Sequence, residues 1–156
     1  MKKTLQSGIV PSDRENVCYC TAVRKAARLL TGFYDMSVAP GGLKITQYSL
    51  LNHLLRLGPV TINELSAAVL LERTTLMRNL NLLAKKKFVE ILPAPTPKAH
   101  SIRLTNLGKE KLAQVQPLWE AAQQKTEALL TSQERLFLRR LASRLSTALS
   151  DAVAQT

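Results

Sequence analysis

The stretch TINELSAAVLLERTTLMRNLNLLAKKK, residues 61–87, sets the architecture of this chain. Thr61 and Glu64 have the spacing of a capping box, in which two side chains bind backbone N–H groups at the start of a helix. A short helix is therefore predicted from Ile62 to about Val69, and a second helix over about 72–87. Two short helices joined by a tight turn form a helix-turn-helix.

The second of these helices has two chemically distinct faces. At about 100° per residue, the face predicted to pack in the core consists of Leu76, Leu80, Leu83 and Lys87. The opposite face has hydroxyl, amide and cationic groups and no acid, and it consists of Thr74, Arg78, Asn81 and Lys85. Such groups suit the major groove of DNA, where arginine binds guanine or phosphate, asparagine binds adenine and threonine contacts thymine methyls or phosphate. Arg73 and Thr75 flank this face near the helix N-terminus, whose free N–H groups also favour phosphate.

A solvated face is the alternative explanation for a single amphipathic helix, but the neighbouring segments favour DNA recognition. Residues 88–92 and 101–104 are rich in β-branched and apolar residues and predict two strands. The loop between them holds three alternating prolines, which keep it extended and outside a sheet ladder. A hairpin directly after a helix-turn-helix is a wing. From Lys44 to Leu104 nine basic residues stand against three acidic ones, so the whole segment is cationic.

The composition also points to a polyanionic partner. The chain of 156 residues has 22 Lys and Arg against 11 acidic residues, a net charge of +11. Double-stranded DNA is the favoured partner, because neutralising phosphates releases counterions. A membrane surface fits less well, since the basic residues are not massed beside one apolar stripe. No stretch approaches the ~20 apolar residues of a membrane span, and the N-terminus has no apolar signal-peptide core, so we expect a cytoplasmic protein without a membrane partner.

The rest of the chain predicts more helices. Residues 1–11 are expected to form a flexible tail, and the Ser12–Glu15 capping box opens a helix that runs to about Val38. A long helix is predicted over about 106–130, bent at Pro117, and a further capping box at Thr131 and Glu134 opens the last helix.

These segments complete a fold that is mainly α with a small β-hairpin wing. The winged helix-turn-helix is assigned to residues 43–104, and residues 12–42 and 105–156 are assigned to N- and C-terminal dimerisation helices. These helices are too apolar to stand alone, so we expect a homodimer. A two-fold pair would present its recognition helices ~34 Å apart and favour a palindromic site.

Four segments resemble MarR-type transcriptional regulators. Leu71–Leu80 is similar to their recognition helix, and Leu43–Leu51, Gly58–Leu65 and Leu104–Gly108 are similar to flanking parts, so that the resemblance covers roughly residues 14–153. The resemblance implies a homodimer with one winged helix-turn-helix in each subunit. It also implies, in most members, repression of nearby genes that a ligand or oxidation relieves.

The wing departs from the pattern of this family. Members commonly have Asp-x-Arg near the wing tip, where Thr96-Pro97-Lys98 stands here. Lysine lacks the planar fork of arginine and is more strongly hydrated. We therefore expect Lys98, together with His100, to contact phosphate or the minor-groove edge with less sequence preference. Arg103 is expected to support the base of the wing, and phosphate contact is the second choice.

Two cysteines, Cys18 and Cys20, allow two interpretations. At spacing i, i+2 in a helix their side chains diverge, so they do not easily bridge each other. They are small buried hydrophobic residues, or they sense oxidation, as the resemblance implies for some relatives with an N-terminal cysteine. Arg24, one or two turns further on, would then lower a thiol pKa.

The resemblance further implies an effector pocket for aromatic or phenolic anions. Arg24, Arg28 and Tyr34 are the candidates to line it, and the alternative is that these helix residues make salt bridges or core contacts. No metal or other cofactor is expected, because Cys18, Cys20, His53 and His100 lack zinc-motif spacing. An enzyme is not expected either, since there is no Gly-rich phosphate loop and no nucleophile with a base. The alternatives to an effector-controlled repressor are a redox-sensing repressor and a helical dimer module that does not read DNA.

Overall fold

The computed structural model describes residues 18–93 and 100–154, the last six of these by their backbone alone. The helices are α1 (Tyr19–Val38), a 3-10 turn (Ala39–Gly41), α2 (Ile45–Leu57), α3 (Ile62–Val69), α4 (Arg73–Lys85), α5 (Asn106–Ala128) and α6 (Ser132–Ala154). The strands are β1 (Val60–Thr61), β2 (Val89–Leu92) and β3 (Ser101–Leu104). The predicted fold class is confirmed, while the tail, the capping box at 12–15 and the wing tip at 94–99 lie outside the described residues.

The core is built mainly from leucines on α2, α3 and α4. The large side chains that are less than 2% exposed are Val38, Leu50, Leu51, Leu54, Ile62, Leu65, Leu76, Leu80, Leu83, Ile102 and Val115. Each such side chain contributes about 1.5–3 kcal/mol relative to an exposed position. The helix-turn-helix is therefore held in place by the same residues whose spacing predicts it.

The sheet has three antiparallel strands in the order β1-β3-β2. Ile102 of β3 pairs with Val60 on one side and with Ile91 on the other, and it is fully buried. Residues 60–61 are only an extended link in the sequence pattern, because two residues are too few to show strand periodicity. Pairing with β3 makes that link a strand and anchors the start of α3 to the wing.

The end of α4 differs from the prediction. The helix stops at Lys85, and Lys87 is exposed with φ of 61°. Lys87 N donates to Ala84 O at 2.8 Å and Phe88 N donates to Leu83 O at 3.0 Å, which is a Schellman cap. The assignment of Lys87 to the core face was wrong, because this cap ends the helical rotation two residues earlier.

The junction of the wing with α5 depends on Gly108. Thr105 caps α5 by accepting from Gly108 N at 3.0 Å, and its hydroxyl donates to Lys87 O at 2.7 Å. A Cβ at Gly108 would overlap the carbonyl oxygen of Phe88 and lie 2.7 Å from Leu104 Cδ1. The Leu-Thr-x-x-Gly segment thus brings the start of α5 directly against the start of β2.

The outer helices leave apolar side chains on the surface of the single chain. Those at least 38% exposed on α1 and α6 are Tyr19, Val23, Leu29, Leu30, Met36, Leu136, Phe137, Leu138 and Leu145. The predicted capping box at the start of α6 is present, with Thr131 N donating to Glu134 Oε2 at 2.8 Å. α5 continues through Pro117. Within the described residues, no helix combines the length and apolarity that crossing a membrane requires.

Candidate nucleic-acid interface

Helix α4 separates its core and surface residues as the sequence predicts. Leu76, Leu80 and Leu83 are fully buried. The residues exposed on the other side are Thr74, Arg78, Asn81 and Lys85. We call these four the reader face. It has two cations and no acid, because α4 itself contains no Asp or Glu.

Arg73 is held by a neighbouring helix. Its Nη1 donates to Asn63 Oδ1 of α3 at 2.9 Å, between two exposed residues. This bond spans the turn of the helix-turn-helix and orients the guanidinium at the start of α4. Thr75 is exposed as predicted, and its carbonyl accepts from Asn79 Nδ2 at 2.9 Å. The sequence does not indicate the role of Asn63, because its partner is ten positions away and beyond a turn.

Lys86 also has a structural partner. Its Nζ donates to Gly42 O at 3.1 Å, so the end of α4 is attached to the turn that precedes α2. Gly42 has φ of 74°, which glycine adopts without steric cost. The lysine run after the reader face therefore contributes charge at Lys85 and Lys87 and a structural contact at Lys86.

The base of the wing is held by an ion pair across its two strands. Arg103 Nη2 lies 2.7 Å from Glu90 Oε2, and the two residues are opposite each other in the register of β2 and β3. Both side chains are about half exposed, so the pair is worth less than about 1 kcal/mol. The predicted role of Arg103 is confirmed. His100 is half-buried just before β3, and Lys98 lies outside the described residues.

The cysteines sit at the beginning of α1. Cys18 is the N-cap residue, with φ of −56° and ψ of 114°, and Cys20 lies in the first turn. Both are exposed in the single chain, so their interpretation as buried residues is wrong for the isolated subunit. Hydrogen bonds from the backbone and hydroxyl of Thr21, and then from the backbone of Cys20, lower the pKa of Cys18. The cause is thus the helix start, and not Arg24 as expected.

A cavity of about 300 Å³ lies between α1, α2 and α5. It is lined by Tyr34, Ile45, Tyr48, Ser49, Asn52, Trp119 and Gln123. Tyr34, one of the three residues predicted for the effector pocket, lines this cavity. Arg24 and Arg28 do not line the cavity, because they lie ten and six residues closer than Tyr34 to the N-terminus of α1, at about 1.5 Å per residue, and are exposed. The predicted set of three is therefore not brought together.

Aromatic and amide groups dominate the cavity walls. The rings of Tyr48 and Trp119 are stacked, with centroids 5.7 Å apart and planes 20° from parallel. Tyr34 Oη donates to Gln123 Oε1 at 2.7 Å across the cavity. Such a concave site with few polar groups is typical of small-molecule binding. Among the described residues, no cluster of His, Cys, Asp or Glu is placed to hold a metal ion.

Comparisons with known proteins agree on one family. A sequence profile described as the MarR family matches residues 41–98. The transcriptional regulator MosR of M. tuberculosis, solved in complex with DNA, is 32% identical over 87% of this chain and 98% of its own, with a TM-score of 0.76. A cysteine-to-serine mutant of MarR from E. coli, complexed with operator DNA, is 22% identical over 81% and 91% of the two chains, with a TM-score of 0.70.

A third structure shares the fold at lower identity. BpsR of Bordetella bronchiseptica, whose DNA binding is regulated by 6-hydroxynicotinic acid, is 18% identical over 86% of this chain and 97% of its own, with a TM-score of 0.75. A comparison with curated protein sequences returns no match.

Proposed function

Because this chain belongs to the MarR family of DNA-binding transcriptional regulators, we propose that it represses transcription as a homodimer on a palindromic operator until a small molecule releases it. The observation that carries the proposal is the reader face, a cationic and acid-free surface backed by three buried leucines. No catalytic role and no cofactor are assigned. We place the protein in the cytoplasm, where a regulator of this family meets the DNA that it controls.

The reader face has the chemistry of major-groove recognition. Arg78 is assigned to guanine edges and Asn81 to adenine, while Thr74 contacts a thymine methyl or a phosphate. Lys85, Arg73 and Thr75 are assigned to phosphates, which fix the register of the protein without reading sequence. Lys98 and His100 are assigned to the wing contact. The hydrogen bond that Arg73 donates to Asn63 Oδ1 supports the phosphate role of Arg73, because it holds the guanidinium at the N-terminal end of α4.

The apolar surface of α1 and α6 supports the dimer. Leu29 is 68% exposed, Met36 is 72% exposed and Phe137 is 62% exposed in the single chain. Large apolar side chains exposed in this number usually mark a protein interface. A symmetric pair buries it and presents two reader faces to successive major grooves. We therefore assign residues 12–42 and 105–156 to dimerisation and residues 43–104 to the winged helix-turn-helix.

The proposal is tested on operator fragments selected from the host genome. Arg78→Ala should weaken binding to the selected duplex by about 1–3 kcal/mol, measured by fluorescence anisotropy. Arg144→Ala is the control, since it removes the same charge from an exposed position on α6, and it should change affinity little. An equal loss on random duplex would reassign Arg78 to the phosphate backbone. A wild-type protein that selects no genomic fragment in dilute salt would refute DNA recognition itself.

The cavity supports release by an effector. Its walls belong to α1 and α5, which lead to the proposed dimer interface, and to α2, which packs against the core side of α4. A ligand seated among these three helices would change their spacing and thus the distance between the two recognition helices. We assign the effector to this cavity, with Tyr34 as the predicted residue that lines it.

Oxidation of Cys18 is a second candidate for the release signal. The observation that favours it is an exposed thiol at a helix N-cap with a lowered pKa, because the thiolate is the form that peroxide oxidises. Since Cys18 precedes α1, a bridge to Cys20 would distort only the first turn. Mild peroxide should then weaken DNA binding by the wild type and not by Cys18→Ser. Unchanged binding by fully oxidised protein would exclude this candidate.

A further inference from the structure

The cavity between α1, α2 and α5 has no charged lining. Its polar groups are the hydroxyls of Tyr34, Tyr48 and Ser49 and the amides of Asn52 and Gln123. Lys44 precedes the lining residue Ile45 in sequence, but its side chain is exposed and does not line the cavity. An anionic ligand would therefore lose its hydration without gaining a counter-charge.

Three carboxylates adjoin residues that line the cavity. Asp35 accepts from Ile45 N at 2.7 Å at one edge. Glu127 accepts from Gln123 Nε2 at 2.8 Å at another. Glu120 follows Trp119 on α5, and its charge, second to burial, raises the pKa of Tyr48. Each of these three carboxylates is hydrogen-bonded to a lining residue or follows one in sequence, so each disfavours an anion in the cavity.

Two features favour a flat ligand with a neutral polar edge. The stacked pair of Tyr48 and Trp119 offers apolar ring surface to a planar molecule. Asn52 is half-buried, and its amide has no hydrogen-bond partner among the side chains and backbone of the described residues. That amide offers donors and an acceptor together, which matches an amide or lactam edge.

We infer that this cavity binds an uncharged planar aromatic molecule with an amide-like edge, and that it discriminates against aromatic carboxylates and phenolates. The inference rests on the proposed function only where it treats the ligand as a regulator, since binding of the ligand in the cavity requires no DNA. It replaces the anion expected from the family resemblance, because the arginines on which that expectation depended lie away from the cavity. Asn52 is the residue that recognises the polar edge.

The test compares matched pairs of probes that differ only in charge. Benzamide and benzoate, and 4-hydroxybenzamide and 4-hydroxybenzoate, are titrated into the wild-type protein at neutral pH. Trp119 is the single tryptophan of the chain and lines the cavity, so its fluorescence reports occupancy directly. Each amide should bind saturably and at least about tenfold more tightly than its acid, a difference of about 1.4 kcal/mol.

Variants distinguish the two proposed causes of selectivity, which are hydrogen bonding by Asn52 and repulsion by Glu120. Asn52→Ala should weaken amide binding severalfold and leave acid binding unchanged, while Gln124→Ala, which removes an exposed amide outside the cavity, should change neither. Glu120→Gln should reduce the difference in affinity between each amide and its acid, because it removes the repulsion between the Glu120 carboxylate and the anionic probe. Acids that bind as tightly as their amides, or amides that give no saturable signal, would overturn the inference.

DNA binding is measured apart from these titrations. A wild-type protein that binds the amides but no operator leaves the inference standing and removes the proposed function. If the wild-type protein binds its operator but does not bind the amides, the inference is overturned and the proposed function stands. Where both succeed, the amides should also weaken operator binding.

Discussion

Replacing Gly108 by alanine should destabilise the protein more than any ordinary surface substitution. The new Cβ would overlap the carbonyl oxygen of Phe88 and lie 3.0 Å from its carbonyl carbon and 2.7 Å from Leu104 Cδ1. The leucine side chain can rotate, but the backbone carbonyl is fixed. It accepts from Thr105 N at 3.1 Å and from Thr105 Oγ1 at 3.1 Å, so moving it would break the cap of α5.

The magnitude follows from these constraints. Overpacking in a tight site costs about 1–3 kcal/mol, and loss of an N-cap costs about 1 kcal/mol, so we expect a loss of about 3 kcal/mol. For a chain of this size about 1 kcal/mol lowers Tm by about 2–4 °C, and Gly108→Ala should therefore lower Tm by roughly 6–12 °C. Differential scanning calorimetry at one fixed protein concentration gives the value, because dimerisation makes Tm depend on concentration.

The neighbouring residue provides the control. Lys109→Ala removes an exposed side chain one position further along α5 and should change the free energy of unfolding by less than about 0.5 kcal/mol. If Gly108→Ala melts within about 2 °C of the wild type, the close approach of α5 to β2 is wrong, and with it the attachment of the wing to the dimer helix.

Three further predictions concern charge and hydrogen bonding. Asn63→Ala should weaken operator binding severalfold in the wild-type background and hardly at all in a protein that already carries Arg73→Ala. The double-mutant cycle should then give a coupling free energy of about 0.5–1.5 kcal/mol. Additive losses of affinity would mean that the bond does not orient Arg73. The pKa values of Glu64 and Glu134 are lowered, first by backbone and then by hydroxyl hydrogen bonds of their N-cap threonines. Their stabilisation is therefore complete above the ordinary pKa of 4.5 and is lost as pH falls through the lowered folded value. Replacing both by Gln should flatten the acid side of the Tm profile, and an unaltered profile would contradict the capping role. Lys98→Ala should reduce the salt slope of DNA affinity by about one; an unchanged slope would exclude a phosphate contact.

The helix-turn-helix was predictable because its signals are local. A capping box at Thr61 and Glu64 determines the start of α3, and a leucine every three or four residues determines the buried side of α4, and both are present. The error at Lys87 shows the limit of this reasoning. Periodicity does not indicate where a helix stops when the residue that ends it is a lysine in the left-handed region, where glycine is expected.

Contacts between distant segments were not predictable in this way. The pairing of β1 with β3 joins residues forty or more positions apart, and the bond of Arg73 to Asn63 depends on the angle between two helices. The cavity needs three helices to be placed at once. The arginines of α1 seemed suitable by residue type, but their direction and distance from Tyr34 depend on how α1 packs, which spacing along one helix does not reveal.

The position of α5 explains how a small ligand in the cavity would displace the recognition helix α4. Near its start, Gly108 lies against the strand that follows α4, and further along it Trp119 and Gln123 line the cavity. Between these points Val115 is fully buried, and its Cγ2 is 2.5 Å from where a Cβ of Gly41 would lie. Packing this close transmits displacement, because there is no free volume in which a side chain can absorb it. A ligand that separates α5 from α2 by a fraction of an ångström would therefore shift the wing base and α4 with it, and no loop needs to unfold.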